Sequence, residues 1–461
     1  MYFAEMIADY ALGLRFEDLP QPVVAMALTA IADTLACAVG AVGEEGPEML
    51  RGYARAHAAR AESTLIGGSE RVDLSLASLV NCSLARDIDA NDIYFGTPGR
   101  DGGHFSDAIP ALLAAAEATG SSGREFITSV VIAYEVQAVL AESYLWMNRG
   151  LHSVSQVSWA IPAAAGRLLG LNREQIVSAI GLAGTTGGLI LQSWLRPSSS
   201  LPLIKGGAPG FAARQALEAT VLAQHGYTAP PDALETLFDR LPSEVDSASF
   251  KNLERPFTFK TTRTILKRFP AQIYTQSAAQ AAVSLHPQID SVDNIAVATV
   301  YGHRNVVAGV QGSAAAYVPE TRGAADHSTP FVVAVGLRDG DLTPASYDGE
   351  PWLDDGLRDL MRRVDLVIDP EFERGLIEEG RFGCRLVVEL LDGRRLEATI
   401  PQQKGHPDNP LSRDELLAKM RTLTGNKLGE DSAERLLSQV ESLPDAENVN
   451  DTIRLLVVNR R

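Results

Sequence analysis

The sequence predicts a mainly α protein, with a large all-helical domain formed by both chain ends and a smaller α+β domain. Long Ala- and Leu-rich runs fill residues up to about 266, and short β-branched runs begin only after Pro270. The helical pattern then returns from about Leu411. At 461 residues the chain also exceeds the size at which a single hydrophobic core stops growing, so two domains are expected.

The first part, residues 1–266, contains PVVAMALTAIADTLACAVGA, DAIPALLAAAEATG, REFITSVVIAYEVQAVLAESYL and WAIPAAAGRLLGL. Apolar residues recur there at three- and four-residue spacing, and the runs are too long for strands. Gly and Ser punctuate them, as in TGSSGRE, where a Ser or Gly can cap the following helix. Several helices are apolar on nearly every side, which places them in the middle of a bundle. The run Val23–Val42 has the length of a membrane span, but Asp33 sits at its centre and small residues dominate it. A buried core helix is the expectation.

In the second part, residues 267–404, NIAVATVYGH, DLVIDP and CRLVVELLDGRRLEATIP carry β-branched residues in short runs. Asp392-Gly393 between two of these runs is a hairpin signal. The last part, residues 405–461, reads as helix in SRDELLAKMRTLTG and AERLLSQVESL and is expected to rejoin the first domain.

A formal net charge of −17 with no basic stripe argues against nucleic acid as a partner. Cys37, Cys82 and Cys384 are far apart and form no zinc or iron–sulfur spacing, so three reduced, buried thiols are expected. The N-terminal stretch lacks a basic n-region and carries Glu5 and Asp9, so a cytoplasmic protein with no signal peptide is expected. There is no G-x-G-x-x-G after a strand, no P-loop, no G-x-S-x-G and no H-E-x-x-H.

Chemistry is instead concentrated in polar clusters set among apolar helices. In ARDIDANDIYFGTPGRDGGHFSDAIP, the residues Asp87, Asp89, Asp92, Arg100, Asp101, His104 and Asp107 crowd together, without the spacing of a calcium loop. His152 precedes a buried helix. Lys205 precedes Gly206 and Gly207 at a helix start, where a cation and backbone amides together suit an anion. Lys267, Arg268, Tyr274 and Gln276 fall at the domain boundary, and Asp326-His327 forms a fifth cluster. Each cluster alone also fits a plain structural duty, as a solvated loop or a satisfied core histidine.

Together and in this order the clusters resemble the MmgE/PrpD family, over nearly the whole chain. Asp87–Asn91 (DIDAN) is similar to the family's D-F-D-D-T, and Gly103–Asp107 (GHFSD) to its G-H-P-S-D. Arg149, Gly150 and His152 resemble R-G-x-H, and Lys205 with Gly210–Ala213 resembles a lysine before G-x-A-A. Phe269-Pro270-Ala271 through Gln276 is similar to F-P-A-x-x-H-x-Q, and Ala325–Phe331 to A-D-H-S-x-P-Y. Asn91, Tyr274 and Phe331 depart from the family's Thr, His and Tyr, and YFGTPGRDGG is longer than the usual connection.

The resemblance implies a site between a helical domain and an α+β lid, in a homodimer that needs no cofactor and no metal. It implies a hydro-lyase acting on 2-methylcitrate or a similar hydroxy-polycarboxylate. A decarboxylase or epimerase of a related acid, or a silent carboxylate-binding relative, would share these motifs. In the expected chemistry His104 or His152 removes a weakly acidic proton, and the other histidine or Tyr274 protonates the leaving hydroxyl. Asp87 orients a histidine, and Lys205 and Arg268 supply positive charge. Asn91, Lys267, Arg268, Gln276 and the amides of Gly206 and Gly207 bind the substrate.

Overall fold

A computed structural model describes residues 1–194, 196–241, 245–429 and 431–458. Helix makes up 60% of the protein, and the largest sheet has four strands, so the mainly α reading holds.

One hydrophobic core gathers buried side chains from Ala4 to Leu253 and again from Leu416 to Leu456. At its centre Leu74–Asp87 lies along Ile204–Gln224. Their close approach needs glycine. A Cβ on Gly206 would come within 2.6 Å of Asp87 Oδ1, and one on Gly210 within 2.1 Å of the Leu79 carbonyl. The helices Arg413–Thr424 and Ser432–Glu441 pack on Gln21–Gly40, which returns the end of the chain to its beginning. Two helices, Gln21–Gly40 and Gly123–Ser143, are long and apolar enough to cross a membrane, but their apolar stretches are 72% and 94% buried inside the fold.

A second core runs from Phe269 to Leu390. Its sheet has the order Val364–Ile368, Ile295–Gly302, Cys384–Leu390, Arg395–Ile400. The first pair is parallel and the other two are antiparallel. The last pair is the hairpin signalled by Asp392-Gly393. Gly393 takes φ +86°, and the Asp392 carboxylate accepts the Arg394 amide at 2.9 Å. Helices Gln276–Leu285 and Thr329–Asp339 cover the sheet.

The two cores meet at a small apolar cluster of Ile93, Ile265, Ile273 and Phe382 and at polar side chains. Lys205 of the first reaches Asp326 of the second, and Lys267, at the junction, reaches Asp89.

Candidate active site

The Leu74–Asp87 helix ends at a turn in which Asp89 takes φ +52°, unusual for a residue with a side chain. The turn aims the Asp89 carboxylate at two buried ammonium groups. Lys267 Nζ bonds to Asp89 Oδ1 and donates to the Asp89 carbonyl at 2.8 Å. Lys205 Nζ lies 3.3 Å from Asp89 Oδ2 and donates to Asp326 Oδ2 at 2.7 Å. On the far side of Asp326, Oδ1 holds His327 Nδ1 at 2.5 Å. Burial pushes the Asp89 carboxyl up, but Lys205 and Lys267 outweigh it and hold the group well below the usual carboxylate range. Burial lowers the ammonium of Lys267, whereas for Lys205 the carboxylates of Asp326 and Asp89 overcome burial and raise it.

Asp89, Lys267 and His327 of this group form one wall of a cavity of about 110 Å³ that also receives Arg86, His104, His152 and Tyr274. The two histidines differ in tautomer. His104 Nδ1 lies 2.5 Å from the Asp92 carbonyl. A carbonyl only accepts, so Nδ1 carries the hydrogen and Nε2 the lone pair. His152 Nδ1 accepts the Val154 amide at 3.2 Å, so its Nε2 carries the hydrogen. Burial holds both rings neutral: it lowers His104 far below its ordinary value and His152 to about 3. Neither Nε2 has a hydrogen-bond partner among the described residues. Tyr274 presents its ring near Phe95 and Phe382, and burial pushes its phenol up to about 12.

Of the residues expected from sequence, His104, His152, Lys267 and Tyr274 line this cavity, with Lys205 directly behind Asp89. The others lie elsewhere. Asp87 orients no histidine; it faces a second cavity, where Arg322 lies 3.9 Å away and burial raises its carboxyl to about 6. Asp89, two residues on, is the carboxylate in the cavity wall. Arg268 is exposed, stacks 5.0 Å over Phe269 and lines a different cleft. Gln276 accepts the amides of Arg268 and Phe269 and donates to the carbonyls of Phe269 and Ala271, so it folds the Phe269–Ala271 turn. Asn91 donates to Ser106 and Asp107 in the interior. The amides of Gly206 and Gly207 are bonded to the Leu203 carbonyl, because these residues lie inside the helix and do not precede it. They have no hydrogen free for an anion.

Sequence reading assigned no role to Arg86, Asp89, Asp326 or His327, although it placed the last three in polar clusters. Arg86 pairs with Asp107 at 3.1 Å. Its signal was a cation in the last turn of an otherwise apolar helix. Asp89, Asp326 and His327 place ligand-type atoms within 4.8 Å of one another, the spacing of a metal site. The ammonium groups of Lys205 and Lys267 already sit on those carboxylates, so an arriving metal ion would face two positive charges there.

The description "MmgE/PrpD N-terminal domain" matches residues 5–239, and "MmgE/PrpD C-terminal domain" matches residues 269–445. The chain belongs to the MmgE/PrpD family. Within that family it is 25% identical to the 2-methylcitrate dehydratase of Escherichia coli, over 69% of this chain and 68% of the relative. It is 24% identical to a cis-aconitate decarboxylase-like protein of Aspergillus oryzae, over 98% of this chain and 96% of that one. The cis-aconitate decarboxylase of Mus musculus is likewise 24% identical, over 98% of this chain and 93% of the relative.

Proposed function

We propose that this MmgE/PrpD protein is a hydro-lyase that dehydrates 2-methylcitrate or a similar hydroxy-polycarboxylate. One observation carries the reading: two neutral imidazoles of opposite tautomer share a cavity with Lys267 and Arg86. A proton next to a carboxylate is only weakly acidic, so its removal needs a base and preorganised positive charge together. His104 Nε2 is that base. The charge that develops on the substrate carboxylate meets Lys267, Arg86 and the Nε2–H of His152. Asp89 holds Lys267 and Lys205 in place. Tyr274, whose phenol lines the cavity and is held protonated by burial, delivers a proton to the departing hydroxyl, while His327 is anchored to Asp326 through Nδ1. In this reading the positive charge comes from side chains, and the reaction needs no metal.

A decarboxylase is the second reading, favoured by relatives that align along 98% of the chain. Decarboxylation, however, starts by breaking a carbon–carbon bond and needs no base to remove a proton, whereas neutral His104 offers a lone pair for that purpose. The tautomer therefore supports proton removal as the first step.

The test is chelator-treated protein incubated in D₂O with 2-methylcitrate, citrate, cis-aconitate and iminodisuccinate, followed by proton NMR. A new alkene signal is expected from one of the hydroxy acids. Loss of a carboxylate would replace this reading by the second, and no change in any compound would overturn both.

A further inference from the structure

The Asp89 turn is held by a second device, outside the cavity. Glycine is the usual residue where a helix ends in a left-handed turn, because a side chain at positive φ is strained. An aspartate persists there when its surroundings over-determine the backbone. Lys267 supplies one anchor, at the Asp89 carbonyl. The other anchor is Lys419, far along the chain in Arg413–Thr424, whose Nζ donates to the Ala90 carbonyl at 2.8 Å. Asp33 Oδ1 lies 2.5 Å from the same Nζ. Asp33 is 0% exposed at the middle of the apolar helix Gln21–Gly40. Neither Asp33 nor Lys419 lines the histidine cavity.

Buried ion pairs are poor stabilisers, since desolvation cancels most of the attraction. Apolar residues of similar volume often serve stability as well or better. Stability is therefore a weak reason to keep Asp33 and Lys419, and what they do have is a charged donor fixed against the backbone next to Asp89. We infer that Asp33 and Lys419 are positioning residues: the pair pins the Ala90 carbonyl and thereby keeps the Asp89 carboxylate between Lys205, Lys267 and His327. The catalytic half of this inference rests on the proposed lyase activity; the structural half does not. It also gives the returning C-terminal segment a task in the site.

The test is a full-length double variant, Asp33→Leu with Lys419→Met, which exchanges the ion pair for an apolar pair. The unfolding temperature should stay near or above that of wild type. Turnover should fall by at least about tenfold while KM stays within about threefold, as expected when catalytic groups shift without losing substrate contacts. Hydrogen exchange should quicken at the amides of Asp89 and Ile93, now bonded to Arg86 and Ile265, and stay unchanged along Gln21–Gly40. A purely structural pair would lower stability and leave kcat of the folded fraction unchanged, which would overturn the inference. Should the double variant fail to fold, Asp33→Asn preserves the shape and should still quicken exchange at Asp89 and lower kcat; wild-type behaviour in both would overturn it. If wild type transforms none of the compounds tested, the lyase reading fails, and exchange at Asp89 and Ile93 alone decides.

Discussion

Two cavities flank the group formed by Lys205, Asp89 and Asp326. The larger, about 460 Å³, is lined by Asp87, Glu44, Glu45, Glu320 and Glu350 against Arg322 and Lys205. The smaller, about 110 Å³, receives His104, His152 and His327 with Arg86 and Lys267, against the single carboxylate of Asp89. The larger has more room and an acidic wall that repels a polycarboxylate. The smaller offers positive charge and imidazole nitrogens without hydrogen-bond partners. Suitability for acid–base chemistry on an anion thus follows the free nitrogens and the sign of charge, and volume is a poor guide to it.

The strongest way to break this contrast is to silence the base. His104→Gln should reduce turnover by roughly 10²–10⁴-fold in a folded protein, the usual worth of a positioned acid or base. Steady-state rates on the compound that wild type transforms are the check, and a variant within twofold of wild type would move the base elsewhere. Next in size is Lys267→Met, which leaves the buried Asp89 carboxylate with one cation fewer. Breaking a buried pair from one side should cost about 3 kcal/mol of unfolding free energy, read by urea denaturation.

A smaller effect separates the histidines by pH. Burial depresses His152 to about 3, so the unfolded chain binds its proton first as pH falls. The stability linked to the neutral ring is complete above about pH 6.5. Below that it is lost at about 1.4 kcal/mol per pH unit, down to the folded value of about 3. Comparing wild type with His152→Gln by thermal unfolding between pH 7 and 4 isolates this share, because Asp107 and Glu135, raised by burial to about 7, act in the opposite direction in both proteins. Equal slopes would mean that His152 takes up its proton alike in the folded and unfolded chains, and that burial does not depress it. The smallest effect belongs to the acidic cavity. Asp87→Asn should leave kcat/KM within about threefold, since Asp87 touches no group of the histidine cavity; a loss of tenfold or more would make the larger cavity part of the reaction.

Much of the site was legible in sequence because its chemistry is carried by rare residues in apolar surroundings. His104, His152, Lys205, Lys267 and Tyr274 stood out for that reason. The misassignments have a common geometric cause. Lys267 is buried and Arg268 exposed, because adjacent side chains on a non-helical backbone leave on different sides. Asp87 and Asp89 differ by two residues, yet one completes a helix and the other itself takes the left-handed conformation, which changes where the carboxylate points. Gln276 looked like a ligand contact because a buried amide can serve a substrate or a turn equally well, and only its four backbone partners identify the turn.

The sequence by itself determined the helical character, the late β-branched stretch with its Asp392-Gly393 hairpin, the family, and the residue types available for acid–base work. These follow from periodicity, local turn chemistry and composition, which act over a few residues. Only the tertiary structure decided which carboxylate faces the lysines, which nitrogen of each histidine bears the hydrogen, and that Asp33 and Lys419 meet beneath Ala90. Those outcomes depend on one backbone dihedral and on contacts between residues as far apart as 33 and 419, and no local pattern encodes them.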